Sequence, residues 1–122
     1  MKMLSPATFF LPCSILALTA CTSSTPQTVT IVAQDFRFVP AEVRVTADRP
    51  VRLTIRNEGR EPHVFASPWL AAGRPAEAAA IEIPPGKTVE VEFHAPAGTY
   101  TFRCARRGHG GMEGLLIVES AV

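Results

Sequence analysis

Apolar and polar residues alternate along most of this chain with a period of two, and this pattern restricts it to β-structure. Side chains at every second position of a strand face the same side, whereas a helix would repeat every 3.6 residues. The alternating apolar positions are Val29, Ile31, Phe36, Phe38, Val43, Val45, Leu53, Ile55, Ile81, Ile83, Val89, Val91, Phe93, Tyr100 and Phe102. Turn signals such as Pro84–Lys87 separate the short runs. The pattern predicts an all-β domain, an antiparallel sandwich or barrel, in which Phe36 and Phe38 continue the first strand up to Pro40.

One segment interrupts the alternation. Residues 68–80 are rich in alanine and contain Gly73 and Pro75, so they can hold a helical turn around residues 76–80 but not a long helix. Trp69, near the start of this segment, is expected to pack in the core, because its indole ring has a large apolar surface to bury. The chain has 122 residues and no internal repeat, so we expect a single domain.

The first twenty residues have the pattern of an export signal rather than of a folded element. Lys2 precedes an apolar stretch that is too short, and too interrupted by proline, to make a good membrane span. The stretch ends at Leu18-Thr19-Ala20-Cys21, which resembles the cleavage box of bacterial lipoproteins. An ordinary cleaved signal with a chance cysteine is the alternative.

The lipoprotein resemblance implies an anchored protein. Residues 1–20 would be the signal peptide, Cys21 the lipidated first residue of the mature chain, residues 21–27 a flexible tether and residues 28–120 the folded domain. The expected location is the periplasmic side of a bacterial membrane. Thr22, where some lipoproteins have Asp, favours the outer membrane.

The segment from Cys104 to Met112 brings three potential metal ligands into one short loop. Cys104 ends an alternating strand on its inward face, and His109 and Met112 follow with the spacing Cys-x4-His-x2-Met. Glycines within the loop permit a sharp return of the backbone. A second imidazole, His63, lies upstream. Two imidazoles, one thiolate and a distant thioether are the ligand set of a type 1 (blue) copper site that transfers electrons.

The cysteine count agrees with a metal-bound thiol. Cys13 would leave with the signal and Cys21 would carry lipid, so Cys104 would be the one free thiol of the mature chain. An unpaired thiol in an oxidising compartment needs either a metal or burial to protect it. Burial in an apolar core is the simpler alternative for Cys104.

Several segments around these ligands resemble the cupredoxin family, which includes plastocyanin, azurin and amicyanin. They are Asn57–His63, Pro85–Lys87, Ala97–Cys104, Gly108–His109 and Gly111–Gly114. The resemblance covers nearly all of the mature chain. It implies a single-domain Greek-key β-sandwich that holds one type 1 copper ion.

The family pattern also implies a role for each residue of the site. His63, Cys104 and His109 would be the strong ligands and Met112 the weak axial ligand. Asn57 occupies the place of an asparagine that often ties the loop of the first ligand to the cysteine-bearing loop. The ligand spacing differs from azurin in its shorter His-to-Met gap and from amicyanin in its longer Cys-to-His gap.

The balance of charged residues argues against nucleic acid as a partner and leaves an acidic partner open. Lys and Arg number 12 against 11 Asp and Glu, whereas nucleic-acid binding usually needs a basic surplus. Arginines lie close in sequence to the proposed ligands: Arg60, Arg103, Arg106 and Arg107. They either form a basic rim that steers an acidic partner or simply solvate a loop. His94 lies on the polar face of its strand and is expected to be exposed.

The sequence therefore predicts a membrane-tethered, monomeric type 1 copper protein that shuttles single electrons between redox proteins through transient contacts. The alternative is a copper carrier or sequestering lipoprotein that uses the same four residues and hands over the metal. A metal-free or zinc-filled interaction domain is a third reading, since zinc accepts the same ligands. The sequence contains no pairing of a nucleophile with a base that would indicate an enzyme.

Overall fold

The computed structural model describes residues 25–71 and 79–121, and these ranges form nine strands and one short 3-10 helix. The strands are β1 (Gln27–Gln34), β2 (Arg37–Val39), β3 (Glu42–Thr46), β4 (Val51–Asn57), β5 (His63–Ala66), β6 (Ala80–Ile83), β7 (Thr88–Phe93), β8 (Gly98–Cys104) and β9 (Glu113–Glu119). The 3-10 helix is Pro68–Ala71. Within the described ranges, no helix has the length and apolar character needed to cross a membrane.

The strands form the two-layer sandwich that the alternation predicted. One sheet has the order β2-β1-β4-β7 and the other β3-β9-β8-β5-β6. Most neighbours are antiparallel, but β1 pairs with β4 and β3 pairs with β9 in parallel. The predicted β-sandwich is confirmed, and these two parallel pairs are the exceptions to its antiparallel pairing. Each joins strands that are distant in sequence, so their relative direction depends on crossovers that periodicity does not reveal.

The core lies between the sheets and consists of the inward positions of the alternating runs. Phe65 and Phe102 are fully buried and stacked, with ring centroids 5.1 Å apart. Phe38 meets both rings edge-on. Trp69 is buried against Phe93, with ring centroids 4.1 Å apart, so its predicted packing role is confirmed. Phe102 of this aromatic cluster lies two residues before Cys104 on β8. The packed rings therefore support the end of the strand that carries Cys104.

The first predicted strand is shorter than the sequence indicated. The chain turns at Asp35–Phe36 and returns as β2, with Gln34 paired to Arg37. Phe36 has a φ of 87° and is 57% exposed, so it does not continue the inward face. A positive φ at the second position of a two-residue turn is usually supplied by glycine or asparagine. Neither residue stands at this position, so nothing in the sequence indicated the turn, and the expectation that Phe36 continues the first strand was wrong.

Other expectations have mixed outcomes. His94 is exposed, as predicted from its place beside Glu90 and Glu92. The signal peptide, Cys21 and most of the tether lie outside the described residues. So does most of the predicted helical turn around residues 76–80.

Candidate metal centre

Two adjacent strands bring the first imidazole to the thiol. His63 is the first residue of β5 and Cys104 is the last residue of β8. The strands run antiparallel with Phe65 opposite Cys104, so the start of one meets the end of the other. The amide of Ala105 extends this pairing by donating to the carbonyl of Val64 at 2.9 Å. Pairing of the strands therefore fixes the position of His63 relative to Cys104.

The loop from Cys104 to Met112 is closed by its own backbone. The amide of Cys104 donates to the carbonyl of Met112 at 2.9 Å, and the amide of His109 donates to the carbonyl of Arg106 at 3.1 Å. Gly108 and Gly111 have φ angles of 88° and 85°, which other residues rarely adopt. These contacts return the backbone of Met112 to Cys104 and bring the imidazole of His109 to 3.5 Å from the thiol.

The three strong donors that the sequence singled out form one cluster. The Nδ1 atoms of His63 and His109 lie 3.2 Å apart. The Sγ atom of Cys104 lies 3.9 Å from the first and 3.5 Å from the second. The point equidistant from the three atoms is about 2.1 Å from each of them, close to the usual bond lengths from a metal to imidazole nitrogen and thiolate sulfur. The donors therefore fit one metal ion in a trigonal arrangement.

The cluster is almost closed to solvent. His63 is 0% exposed, Cys104 6% and His109 7%. Met112 is buried in the same loop at 1% exposure. The site therefore has the donor types of a type 1 copper centre, and one such ion fits it.

Electrostatics keep the first imidazole neutral. Burial lowers the pKa of His63 below its ordinary value of 6.5, and the nearby His109 acts in the same direction. Asp35 opposes this shift without reversing it. A neutral imidazole binds a metal without first losing a proton. The thiol in turn accepts a hydrogen bond from the amide of Val64, with a distance of 3.4 Å to the Cys104 sulfur.

Asn57 supports the site, but through different partners from those expected. Its side-chain amide donates to the carbonyls of Glu61 and Ile83, both at 2.8 Å, and its oxygen accepts the amide of Gly59 at 2.8 Å. These bonds tie the loop before His63 to itself and to β6. None of the hydrogen bonds of Asn57 in the described structure reaches the cysteine-bearing loop, so that part of the expectation was wrong.

Two residues of the β1–β2 turn touch the site, and sequence reasoning missed both. A carboxylate oxygen of Asp35 lies 3.3 Å from Nε2 of His63. The ring of Phe36 meets the ring of His109 edge-on, with centroids 5.1 Å apart. No spacing rule places a β-hairpin turn beside two ligands that follow it 28 and 73 residues later in the sequence. An acidic residue at a turn usually indicates only turn chemistry.

Comparisons with known proteins agree with this geometry. The sequence profile described as the cupredoxin-like domain matches residues 7–118. Auracyanin A, a "blue" copper protein of the green thermophilic photosynthetic bacterium Chloroflexus aurantiacus, is 27% identical, with a TM-score of 0.63; the match covers 78% of this chain and 100% of auracyanin A. A search of curated protein sequences finds no significant match.

Two further solved structures share the fold at lower identity. The dithionite-reduced auracyanin of Roseiflexus castenholzii is 23% identical, with a TM-score of 0.62, and the match covers 78% of this chain and 98% of the auracyanin. The blue copper oxidase of Nitrosomonas europaea is 23% identical, with a TM-score of 0.65, and the match covers 80% of this chain but 40% of the oxidase.

Proposed function

The chain belongs to the cupredoxin-like domain family, and on that premise we propose that it carries single electrons by means of one type 1 copper ion. The observation that carries this proposal is the buried trigonal set of His63, Cys104 and His109. Copper bound there would supply one-electron redox chemistry. The name of auracyanin A as a "blue" copper protein supports the choice of metal.

Each ligand has a distinct task in this proposal. The thiolate of Cys104 and the two imidazoles would hold copper as strong donors that suit both of its oxidation states, and the thioether of Met112 would be a weaker donor. His109 is the imidazole with some exposed surface, at 7%, so it is the proposed route for the electron. His63 is fully enclosed and serves as an anchor.

Burial of the donors supports retention of the metal over its delivery. A copper carrier passes its ion on by ligand exchange, and the acceptor's ligands must reach the metal. Here the three donors are between 0% and 7% exposed, and the ring of Phe36 lies against His109. An electron needs no such opening. The copper-carrier alternative therefore requires the loop from Cys104 to Met112 to open.

The proposed role is that of an electron carrier and not of an enzyme. The chain corresponds to 40% of the Nitrosomonas europaea blue copper oxidase, so the activity of that whole protein is not transferred to it. The location is proposed from the Leu18–Cys21 pattern alone: the periplasmic side of a bacterial membrane, attached through lipid on Cys21. The proposed partners are redox proteins that bind briefly to a monomer. The neighbouring arginines could favour acidic partners.

The test is a titration of the full-length protein with Cu(II), followed by visible absorption and EPR spectroscopy. One equivalent is expected to give an intense thiolate-to-copper band and a narrow hyperfine splitting. Cys104→Ser should abolish the band, whereas His94→Ala, which removes an exposed imidazole outside the cluster, should leave it unchanged. Retention of the band in the Cys104→Ser protein would defeat the assignment.

A second measurement separates electron transfer from copper delivery. The copper-loaded protein is taken through repeated oxidation and reduction and then mixed with an excess of a copper chelator. An electron carrier should cycle reversibly and keep its metal on the time scale of the redox steps. Rapid loss of copper to the chelator in either oxidation state would favour the copper-carrier alternative.

A further inference from the structure

The β1–β2 turn places a carboxylate beside the imidazole nitrogen of His63 that faces away from the cluster. Nε2 of His63 is shielded from solvent and has no well-aligned hydrogen-bond partner among the described residues. The Oδ1 atom of Asp35 lies 3.3 Å from it, slightly beyond the usual range of N–H···O hydrogen bonds. A buried N–H without an acceptor is costly. The Asp35 carboxylate is thus the acceptor placed beside this N–H.

The Asp35 carboxylate is itself held in place. One of its oxygens accepts the amide of Arg60 at 2.8 Å and the other accepts the amide of Glu61 at 3.2 Å. Gly59 makes this approach possible, because a Cβ atom at that position would overlap the carboxylate. An aspartate carboxylate that accepts two backbone amides is ionised at neutral pH. A fixed negative charge therefore faces the outer edge of His63.

A fixed acceptor at Nε2 decides which nitrogen of a neutral imidazole carries the proton. With the proton on Nε2, the lone pair of Nδ1 points at the cluster, where the Nδ1 atom of His109 lies 3.2 Å away. A histidine whose outer N–H meets a carboxylate is also a more basic ligand. The opposite tautomer would place a proton between the imidazole and the metal.

We propose that Asp35 is a positioning residue, which accepts the Nε2–H of His63, presents Nδ1 to the metal and favours the more highly charged oxidation state. This inference deepens the proposed function and rests on it for the identity of the metal. The extra negative charge stabilises Cu(II) more than Cu(I), so Asp35 lowers the reduction potential of the site. His63 remains the ligand, and Asp35 acts through it.

The test compares three variants of the full-length protein. Asp35→Ala removes the acceptor and the charge, Asp35→Asn keeps one carbonyl oxygen without the charge, and Glu61→Gln removes a neighbouring exposed carboxylate as a matched control. Three quantities are measured: the tautomer of His63 by nitrogen NMR of the imidazole rings in the metal-free protein, the Cu(II) and Cu(I) affinities by chelator competition, and the reduction potential. Urea unfolding of each variant reports stability separately.

The expected results differ between the variants. The native protein should show His63 protonated on Nε2. The Asp35→Ala protein should lose this tautomer. Its Cu(II) affinity should fall about 10- to 100-fold, which is the usual effect of removing a partner of a metal-binding histidine. Asp35→Asn should keep the tautomer but raise the reduction potential. The rise is about 59 mV for each tenfold decrease in Cu(II) affinity relative to Cu(I) affinity. Glu61→Gln should leave the tautomer unchanged and shift the potential less than Asp35→Asn does, because the Glu61 carboxylate is exposed and lies 3.8 Å from Arg106.

Two results would overturn the inference. One is an unchanged tautomer and potential in both Asp35 variants with only a loss of stability, which would mean that Asp35 merely braces residues 59–61. The other is equal effects of Glu61→Gln and Asp35→Asn, which would indicate general electrostatics. Failure of the native protein to form a blue site would instead refute the proposed function, and the NMR measurement would still decide the role of Asp35.

Discussion

Replacing Asn57 by alanine should destabilise the metal-free protein by more than the loss of one side-chain hydrogen bond would. The Asn57 side chain is fully buried and makes three hydrogen bonds of 2.8 Å, to Gly59, Glu61 and Ile83. Each such bond contributes about 1 kcal/mol net, so we expect a loss of about 3 kcal/mol in the free energy of unfolding. The loss would be larger if the carbonyl of Ile83, which belongs to a fully buried residue, finds no water.

Urea denaturation of the metal-free protein measures this loss directly. A difference of about 3 kcal/mol corresponds to a fall in Tm of more than about 10 °C for a domain of this size. Ser67→Ala is the matched control, because the buried Ser67 makes one side-chain hydrogen bond, to the carbonyl of Thr101 at 2.7 Å. It should cost about 1 kcal/mol. If Asn57→Ala costs no more than Ser67→Ala, Asn57 does not organise the loop before His63, and our account of that loop is wrong.

Two further predictions concern packing and protonation. Gly114→Ala should lower the free energy of unfolding in urea by about 1–3 kcal/mol, because the new methyl group would overlap the ring of Phe102 and lie 2.7 Å from the carbonyl oxygen of Ala41. Gly110→Ala is the control and should cost little, because its Cβ would meet nothing within 4 Å. Equal losses in the two variants would contradict the packing argument. The metal-free protein should lose stability as the pH falls below 6.5, because burial lowers the pKa of His63 and unfolding therefore takes up a proton there. Denaturation curves at a series of pH values check this, and a flat profile between neutral pH and pH 5 would rule out the buried neutral imidazole.

The fold could be predicted from the sequence because its main signal is local. Inward and outward positions along β7 and β8 follow from alternation within each strand, and the structure confirms them. The direction of the β1–β4 and β3–β9 pairs was not predictable, since nothing within one strand encodes which distant strand lies beside it. The turn at Phe36 was missed because a bulky residue adopts a backbone angle that usually belongs to glycine.

The donor set could also be predicted, whereas its supports could not. Cys104, His109 and Met112 share one loop, and His63 supplies the second imidazole that the type 1 ligand set needs. The partners of Asn57 and the approach of Asp35 to His63 depend on tertiary contacts between loops, which residue types and spacings do not specify. Both supports involve side chains bonded to backbone groups of residues 59–61. Of these three residues, Gly59 is the one whose lack of a side chain the approach of Asp35 requires.

The supports of the donor set bear on the choice between electron transfer and copper delivery. Strand pairing places His63 against Cys104, backbone bonds close the loop that bears His109, and Asn57 and Asp35 brace the approach to His63. Each of these contacts is made between groups of the protein itself. Donors held in this way also resist displacement when a bound metal gains or loses an electron, which keeps the reorganisation small. The same rigidity slows the ligand exchange on which delivery depends, so both the burial and the bracing of the donors favour an ion that stays in place while electrons pass.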